Sequence, residues 1–309
     1  MKIGFILPLG EDADLGRPPT WREIRALGVQ AEAGGLDSVW TYDHLLYRFP
    51  GDTKTRGVHE CWSILSALAN ATERVELGTL VMPTSWRNPA LLAKMAVTVD
   101  EISGGRLILG LGTGFHQPEF DAFGYPFDHR VDRFEEALQI ICPLLRNGEV
   151  DFHGTYVSAP NAELAPRGPR PEGIPVLIAC RGPRMLDLTA RYADAWNTAW
   201  FGVVAGSESQ RAEMDAACVA ADRDPASLTV TVGVHVATPA EAASSETLVD
   251  PNRLLTGTPA EIAAAFRDYE AAGVDHLICG ALAHTTYDYT TQVIDLVTEA
   301  LALYRAPLG

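Results

Sequence analysis

Three short stretches of this 309-residue chain gather side chains that can do chemistry. Asp43-His44 sets a carboxylate beside the side chain that titrates nearest neutral pH, so His44 could give or take a proton with Asp43 orienting the ring. A strand-end histidine bonded to a backbone carbonyl has the same signature, and only its position in the fold favours chemistry. Residues 106–119, RLILGLGTGFHQPE, end an apolar run in Gly110, Gly112 and Gly114, where absent side chains let a flat ring or a phosphate approach the backbone. His116, Gln117 and Glu119 follow, although polar residues after such loops are often merely solvated. Arg181-Gly182-Pro183-Arg184 reads as a helix start, where free N–H groups, the helix dipole and two guanidiniums suit an anion; a tight turn with two surface arginines is the plainer alternative.

The elements that must position these residues follow from periodicity. Apolar strands at 2–9, 38–42, 75–82, 106–112, 176–180, 195–200, 228–238 and 275–282 alternate with helices at 20–33, 60–72, 89–103, 128–146, 183–192, 207–221, 258–272 and 287–304. Thr20 with Glu23 and Thr258 with Glu261 are capping boxes, and Pro89 opens a helix that Gly104-Gly105 closes. Eight strand-helix units predict an α/β chain folded as a (β/α)8 barrel, with an open doubly wound sheet as the other candidate. An internal echo, EAGGLDSVW at 32–40 and EAAGVDHLI at 270–278, supports repetition of one unit. Only residues 148–174 break the rhythm. They predict an insertion between strand 4 and strand 5, a hairpin over the barrel mouth, within a single domain covering 1–309. In such a barrel the strand C-termini form the site, and His44, the glycine loop and the Arg181 turn all fall there. Trp200, also at a strand end, is expected to line the pocket.

Several readings are excluded. GLGTG has the spacing G-x-G-x-G rather than G-x-G-x-x-G, and Pro118 blocks a prompt long helix, which argues against a Rossmann site. The histidines at 59, 153, 235, 276 and 284 lack paired spacing, so no metal site is expected. Five scattered cysteines read as free thiols, with Cys180 a small buried residue rather than a nucleophile, because no base is at hand. A net charge of -16 argues against nucleic acid and anionic membranes as partners. Without an apolar run of about 18 residues or a signal peptide, a cytoplasmic protein is expected.

Residues 77–114, LGTLVMPTSWRNPALLAKMAVTVDEISGGRLILGLGTG, resemble the luciferase-like monooxygenase family of flavin and deazaflavin barrels, as do TYDH at 41–44, DFHGTYV at 151–157 and PVLIACRGPRMLDLTARYADAWN at 175–197. The resemblance implies a ring cofactor at the strand C-termini and a non-prolyl cis bulge at Leu80 and Val81. It implies phosphate contacts from Ala179, Arg181, Gly182 and Pro183, and cofactor contacts from Asp43, Gly112, Thr113 and Gly114. TYDH and GTG look more like the members dependent on coenzyme F420, in which His44 would be the acid or base; FMN is the alternative cofactor. Sugar-phosphate dehydrogenases of that group carry a glutamate where this chain has Phe115, so sugar-phosphate oxidation is not implied. Phe115, His116 and Trp200 would line the substrate pocket, under loops 201–206 and 239–257 whose composition names no substrate. The implied activity is hydride transfer between deazaflavin and a small organic substrate. An FMN-dependent two-component monooxygenase and a non-catalytic flavin-binding protein are the other readings. A flavin or F420 reductase partner and a homodimer are also implied.

Overall fold

The computed structural model describes residues 1–12, 15–48, 54–170, 172–244, 253–281 and 286–307. Leu282, the last residue of the expected eighth strand, and residues 245–252 of the 239–257 loop lie outside them. The parallel strands β1 (Lys2–Ile6), β2 (Ser38–Thr41), β3 (Glu76–Thr79), β4 (Leu107–Gly112), β5 (Val176–Ala179), β6 (Ala195–Ala199), β7 (Thr229–Ala237) and β8 (His276–Ala281) pair in chain order. β8 returns to pair with β1, so the sheet is a closed barrel rather than an open one. Helices α1 (Trp21–Ala33), α2 (Cys61–Ala71), α3 (Pro89–Ser103), α4 (Arg130–Asn147), α5 (Pro183–Tyr192), α6 (Ala205–Ala220), α7 (Pro259–Ala271) and α8 (Tyr287–Arg305) alternate with the strands. Among the described residues no helix is long and apolar enough to cross a membrane.

Local chemistry sets these boundaries. Both capping boxes form, Thr20 with Glu23 and Thr258 with Glu261. Asn88 caps α3, Pro89 is its first residue, and Gly104 ends it at φ +67°. The echoed Asp after a glycine stop is a latch at the barrel's lower rim. Asp37 accepts the N–H of Ile3 in β1, and Asp275 accepts that of Val230 in β7. Asp194 repeats the device on Val176 of β5. Each carboxylate thereby satisfies the first free donor of the neighbouring strand.

Two apolar layers hold the barrel. Strand side chains such as Ile3, Phe5, Val39 and Leu107 pack outward against the helices, while Trp40, Leu177 and Ile278 fill the interior. Trp40 fits only because its neighbours lack side chains: a Cβ on Gly78 would fall 2.1 Å from the indole, and one on Gly4 would fall 2.8 Å from it. The indole N–H donates to Ser38 Oγ at 2.7 Å, which lies 2.7 Å from His276 Nε2, closing a small polar network inside the barrel.

The third strand differs from the continuous run expected at 75–82. It stops at Thr79, crosses a non-prolyl cis peptide between Leu80 and Val81, and pairs with β4 again at Met82–Pro83. This is the bulge implied by the family resemblance, and a second such bond joins Ala199 to Trp200. The insertion is a hairpin of strands Glu149–His153 and Ser158–Glu163. It lies along α4 rather than over the mouth, because Glu136 of α4 accepts the N–H groups of Thr155, Tyr156 and Val157 in its turn. Arg170, beyond the hairpin, donates to buried Asp100 of α3 at 3.0 and 2.5 Å.

Candidate functional site

A cavity of about 790 Å³ opens at the C-terminal ends of β2 to β6, within the size range of small-ligand sites. One wall is the cis bulge at Leu80 and Val81, and the facing wall is the loop Gly112–Thr113–Gly114 that leaves β4. A Cβ on Gly112 would stand 2.7 Å from Val81 Cγ2, so the bare backbone there is what keeps the slot between the walls open. Gly114 sits at φ +72°, and Arg130 of α4 donates to its carbonyl at 2.5 Å, fixing the loop from behind.

His44 lines the cavity at the end of β2, one-sixth exposed. Its Nδ1 lies 3.0 and 3.1 Å from the two oxygens of Glu119, whose side chain is 1% exposed. The ring also meets Tyr47, Phe115 and Tyr42 edge-on at centroid distances of 5.0, 5.8 and 5.9 Å. Asp43 does not orient His44 as expected. Its buried carboxylate is held by Arg87 at 2.5 and 3.3 Å, and Arg87 also donates to Glu60 at 2.6 Å. Burial opposes the charge on Arg87, but Asp43 and Glu60 more than offset it and raise its affinity for the proton. The Asp43–Arg87–Glu60 chain therefore ties the β2 end to the starts of α2 and α3.

The Arg181 turn divides its two arginines. Arg181 lines the cavity, is exposed, donates to the Ala199 carbonyl and lies over the Phe201 ring at 5.7 Å. Arg184 turns outward to Asp132 at 2.5 Å and Glu135 at 3.0 Å, so the expected pair of guanidiniums at one anion is reduced to one. Gly182, at φ +86° before α5, has open space around it, but neither it nor Pro183 lines the cavity. Cys180 lines it with a thiol that burial pushes up to about 11 despite the Thr189 hydroxyl at 3.1 Å, which leaves no thiolate for chemistry.

Of the expected site residues, His44, Asp43, Leu80, Val81, Gly112, Thr113, Gly114, Ala179, Arg181 and Phe115 meet at this one cavity. His116 is buried and does not line it. Trp200 is also absent from the lining: its ring lies against Gly233 and stacks on His235 at 4.4 Å, plugging the mouth above β7 and β8. Burial holds His235 down to about 4, so that stack is uncharged at neutral pH. Sequence reasoning missed Trp86 and Arg253 in the lining, and it gave Glu119 no partner. Trp86 is 4% exposed, and its indole N–H has no hydrogen-bond partner among the described residues. Arg253 donates to the Trp200 carbonyl at 3.1 Å. The one signal for Glu119 was a carboxylate set between Pro118 and Phe120 in an otherwise aromatic stretch. Its short helix, Gln117–Phe123, was not expected at all.

The arrangement has the parts a flat, anionic, redox-active ring requires. It offers a side-chain-free slot, an unpartnered indole donor, two guanidiniums at the rim, and one imidazole in the wall. Among the described residues no cluster of histidine, cysteine and carboxylate side chains is placed to hold a metal ion.

Comparison with known proteins agrees. The model of the luciferase-like monooxygenase family matches residues 1–253. The chain is 36% identical over 251 residues to the phthiodiolone/phenolphthiodiolone dimycocerosates ketoreductase of Mycobacterium bovis, covering 74% of this chain and 63% of that one. It is 34% identical over 181 residues to the F420-dependent glucose-6-phosphate dehydrogenase of Amycolatopsis mediterranei, covering 57% of this chain and 52% of that one. The chain thus spans between half and two thirds of the length of these relatives. A solved F420-dependent secondary alcohol dehydrogenase, in complex with an F420-acetone adduct, superposes with a TM-score of 0.80 over 99% of both chains at 19% identity, a likeness of fold.

Proposed function

Since the chain belongs to the luciferase-like monooxygenase family, we propose that it is an F420-dependent oxidoreductase acting on a small organic alcohol or its carbonyl counterpart. The observation that carries this reading is the slot between Leu80–Val81 and Gly112–Gly114 with His44 as the imidazole in its wall. The ketoreductase and the F420-dependent dehydrogenase among its relatives support the same class.

Leu80, Val81 and the Gly112–Gly114 backbone would hold the ring, Trp86 would donate to it, and Arg181 with Ala179 would meet the phosphate. Bound coenzyme F420 supplies a two-electron hydride carrier that, having carbon in place of the reactive ring nitrogen, reacts poorly with oxygen. The chain's own task is then the proton. His44 Nε2, the ring nitrogen not facing Glu119, accepts the hydroxyl proton of an alcohol, or returns it to a carbonyl in the reverse direction. Tyr42, Trp86 and Phe115 give the space beside it aromatic walls, which suits an apolar substrate carbon better than a phosphorylated sugar. A reductase that recharges the carrier and a homodimeric assembly belong to this reading.

Titrating the purified protein with F420 and with FMN tests it. The expected result is a spectral shift with F420 and none with FMN at equal concentration. A shift with FMN alone would replace the deazaflavin by a flavin and hydride transfer by oxygen chemistry. His44→Ala is expected to bind the cofactor as the parent does and to lose about 10²-fold or more in turnover, the usual contribution of a positioned acid or base.

A further inference from the structure

His44 has two ring nitrogens, and only one of them can serve the cavity. Glu119, 75 residues downstream, decides which. Its Oε1 accepts the N–H of Leu45 at 2.6 Å and of Leu46 at 3.2 Å, and its two oxygens flank His44 Nδ1 at 3.1 and 3.0 Å. Each of these three groups facing the carboxylate is therefore a donor or must become one, because a carboxylate only accepts. In a neutral imidazole one nitrogen carries the proton and the other the lone pair. With Nδ1–H aimed at Glu119, the lone pair is on Nε2. The adjacent Asp43 cannot substitute, since Arg87 engages both of its oxygens. Tyr42, Tyr47 and Phe115 meet the ring edge-on, which keeps the imidazole plane where Glu119 sets it.

We propose that Glu119 is a positioning residue that holds His44 in its Nδ1–H tautomer, so that Nε2 is the atom presented to the substrate oxygen. It rests on the reading of His44 as the proton-handling group. In alcohol oxidation the substrate O–H bond breaks and the proton joins Nε2, while the C–H electron pair leaves as hydride to oxidised F420. The imidazolium so formed is balanced by the Glu119 carboxylate at its far side. In carbonyl reduction the same proton returns to oxygen, and the ring reverts to the same tautomer. Buried, and in hydrogen-bond contact with the ring, Glu119 does for His44 what the buried aspartate of a hydrolytic triad does for its histidine.

The test needs neither the substrate nor the cofactor. Full-length protein labelled with ¹⁵N-histidine is examined by long-range ¹H–¹⁵N spectroscopy well above the imidazole titration, with His44→Gln identifying the signal. The expected pattern is a protonated Nδ1 and an unprotonated Nε2 in the parent. The pattern is expected to persist in Glu119→Gln, whose amide oxygen still accepts, and to be lost or mixed in Glu119→Leu. An Nε2–H tautomer in the parent, or a tautomer unchanged in Glu119→Leu, overturns the proposal. If Glu119→Leu does not fold, the parent spectrum alone decides. The F420 titration of the same samples keeps the two readings apart. Failure of the parent to bind F420 removes the functional reading and leaves the tautomer result standing, while normal binding with the wrong tautomer removes only the role of Glu119.

Discussion

Replacing Arg181 and Arg184 by methionine, one at a time, should separate two arginines that sequence alone places in the same role. Arg181 lines the cavity with one donor on the Ala199 carbonyl, and no carboxylate among the described residues pairs with it, leaving the rest of its fork for an anion. A hydrogen bond to a charged group contributes about 1.5–3 kcal/mol net, or about 10- to 150-fold in affinity. Because Arg181 is exposed, solvent and salt screen it, and the lower end, about tenfold, is the expected loss of F420 affinity in Arg181→Met near physiological ionic strength. The loss should grow as salt is lowered. Arg184 is already neutralised by Asp132 and Glu135 on the outside of the barrel, so Arg184→Met should leave F420 affinity within about twofold and cost at most about 1 kcal/mol of stability. Absorbance or fluorescence titration with F420 at two salt concentrations reads both variants directly. Equal losses in the two variants, or an unchanged affinity in Arg181→Met, would refute the assignment of the anion to the cavity side of the turn.

Three further outcomes are expected. Burial holds His276 down to about 3 against an ordinary value near 6.5, so the unfolded chain takes up a proton that the barrel refuses, and stability falls by about 1.4 kcal/mol per pH unit as pH drops below that ordinary value; urea unfolding of parent and His276→Gln at about pH 7 and pH 5 should show a shallower decline in the variant. Asp100→Ala leaves the guanidinium of Arg170 without its carboxylate and Leu107 without an acceptor, and should cost about 3 kcal/mol in denaturant unfolding, partly recovered by adding Arg170→Met. Gly112→Val should close the slot against Val81: folding should lose about 1–3 kcal/mol, and the F420 spectral shift should disappear at concentrations that saturate the parent.

What could be read from residues alone was whatever is local along the chain. Thr20 and Glu23, Pro89 and Gly104, and the alternation of apolar strands with amphipathic helices carry their structural meaning within a few residues, and the eight units follow. The glycine loop and the strand-end histidine were legible because the architecture says where strand ends go. Partnerships were not legible. Asp43 adjoins His44 in sequence yet points to Arg87, and the carboxylate that does reach His44 comes from 75 residues away. Arg181 and Arg184 differ by one helical turn, and that turn sends one to the cavity and the other to α4. The hairpin was legible as a hairpin, but its resting place depends on Glu136, a residue that reads as ordinary solvated helix surface.

The Trp200–His235 stack makes the rim lopsided. A closed ring offers eight strand ends, yet among the described residues the cavity, apart from Arg253, is built from the ends of five neighbouring strands, while the indole and imidazole lie above β7 and β8. The described positions under that stack answer to the fit of two rings against Gly233 and Gly280, whereas the five open ends and Arg253 must also satisfy the shape of a shared guest. Substitutions on the two sides of the rim are therefore expected to part company, those under the stack reading out in stability and those opposite in affinity.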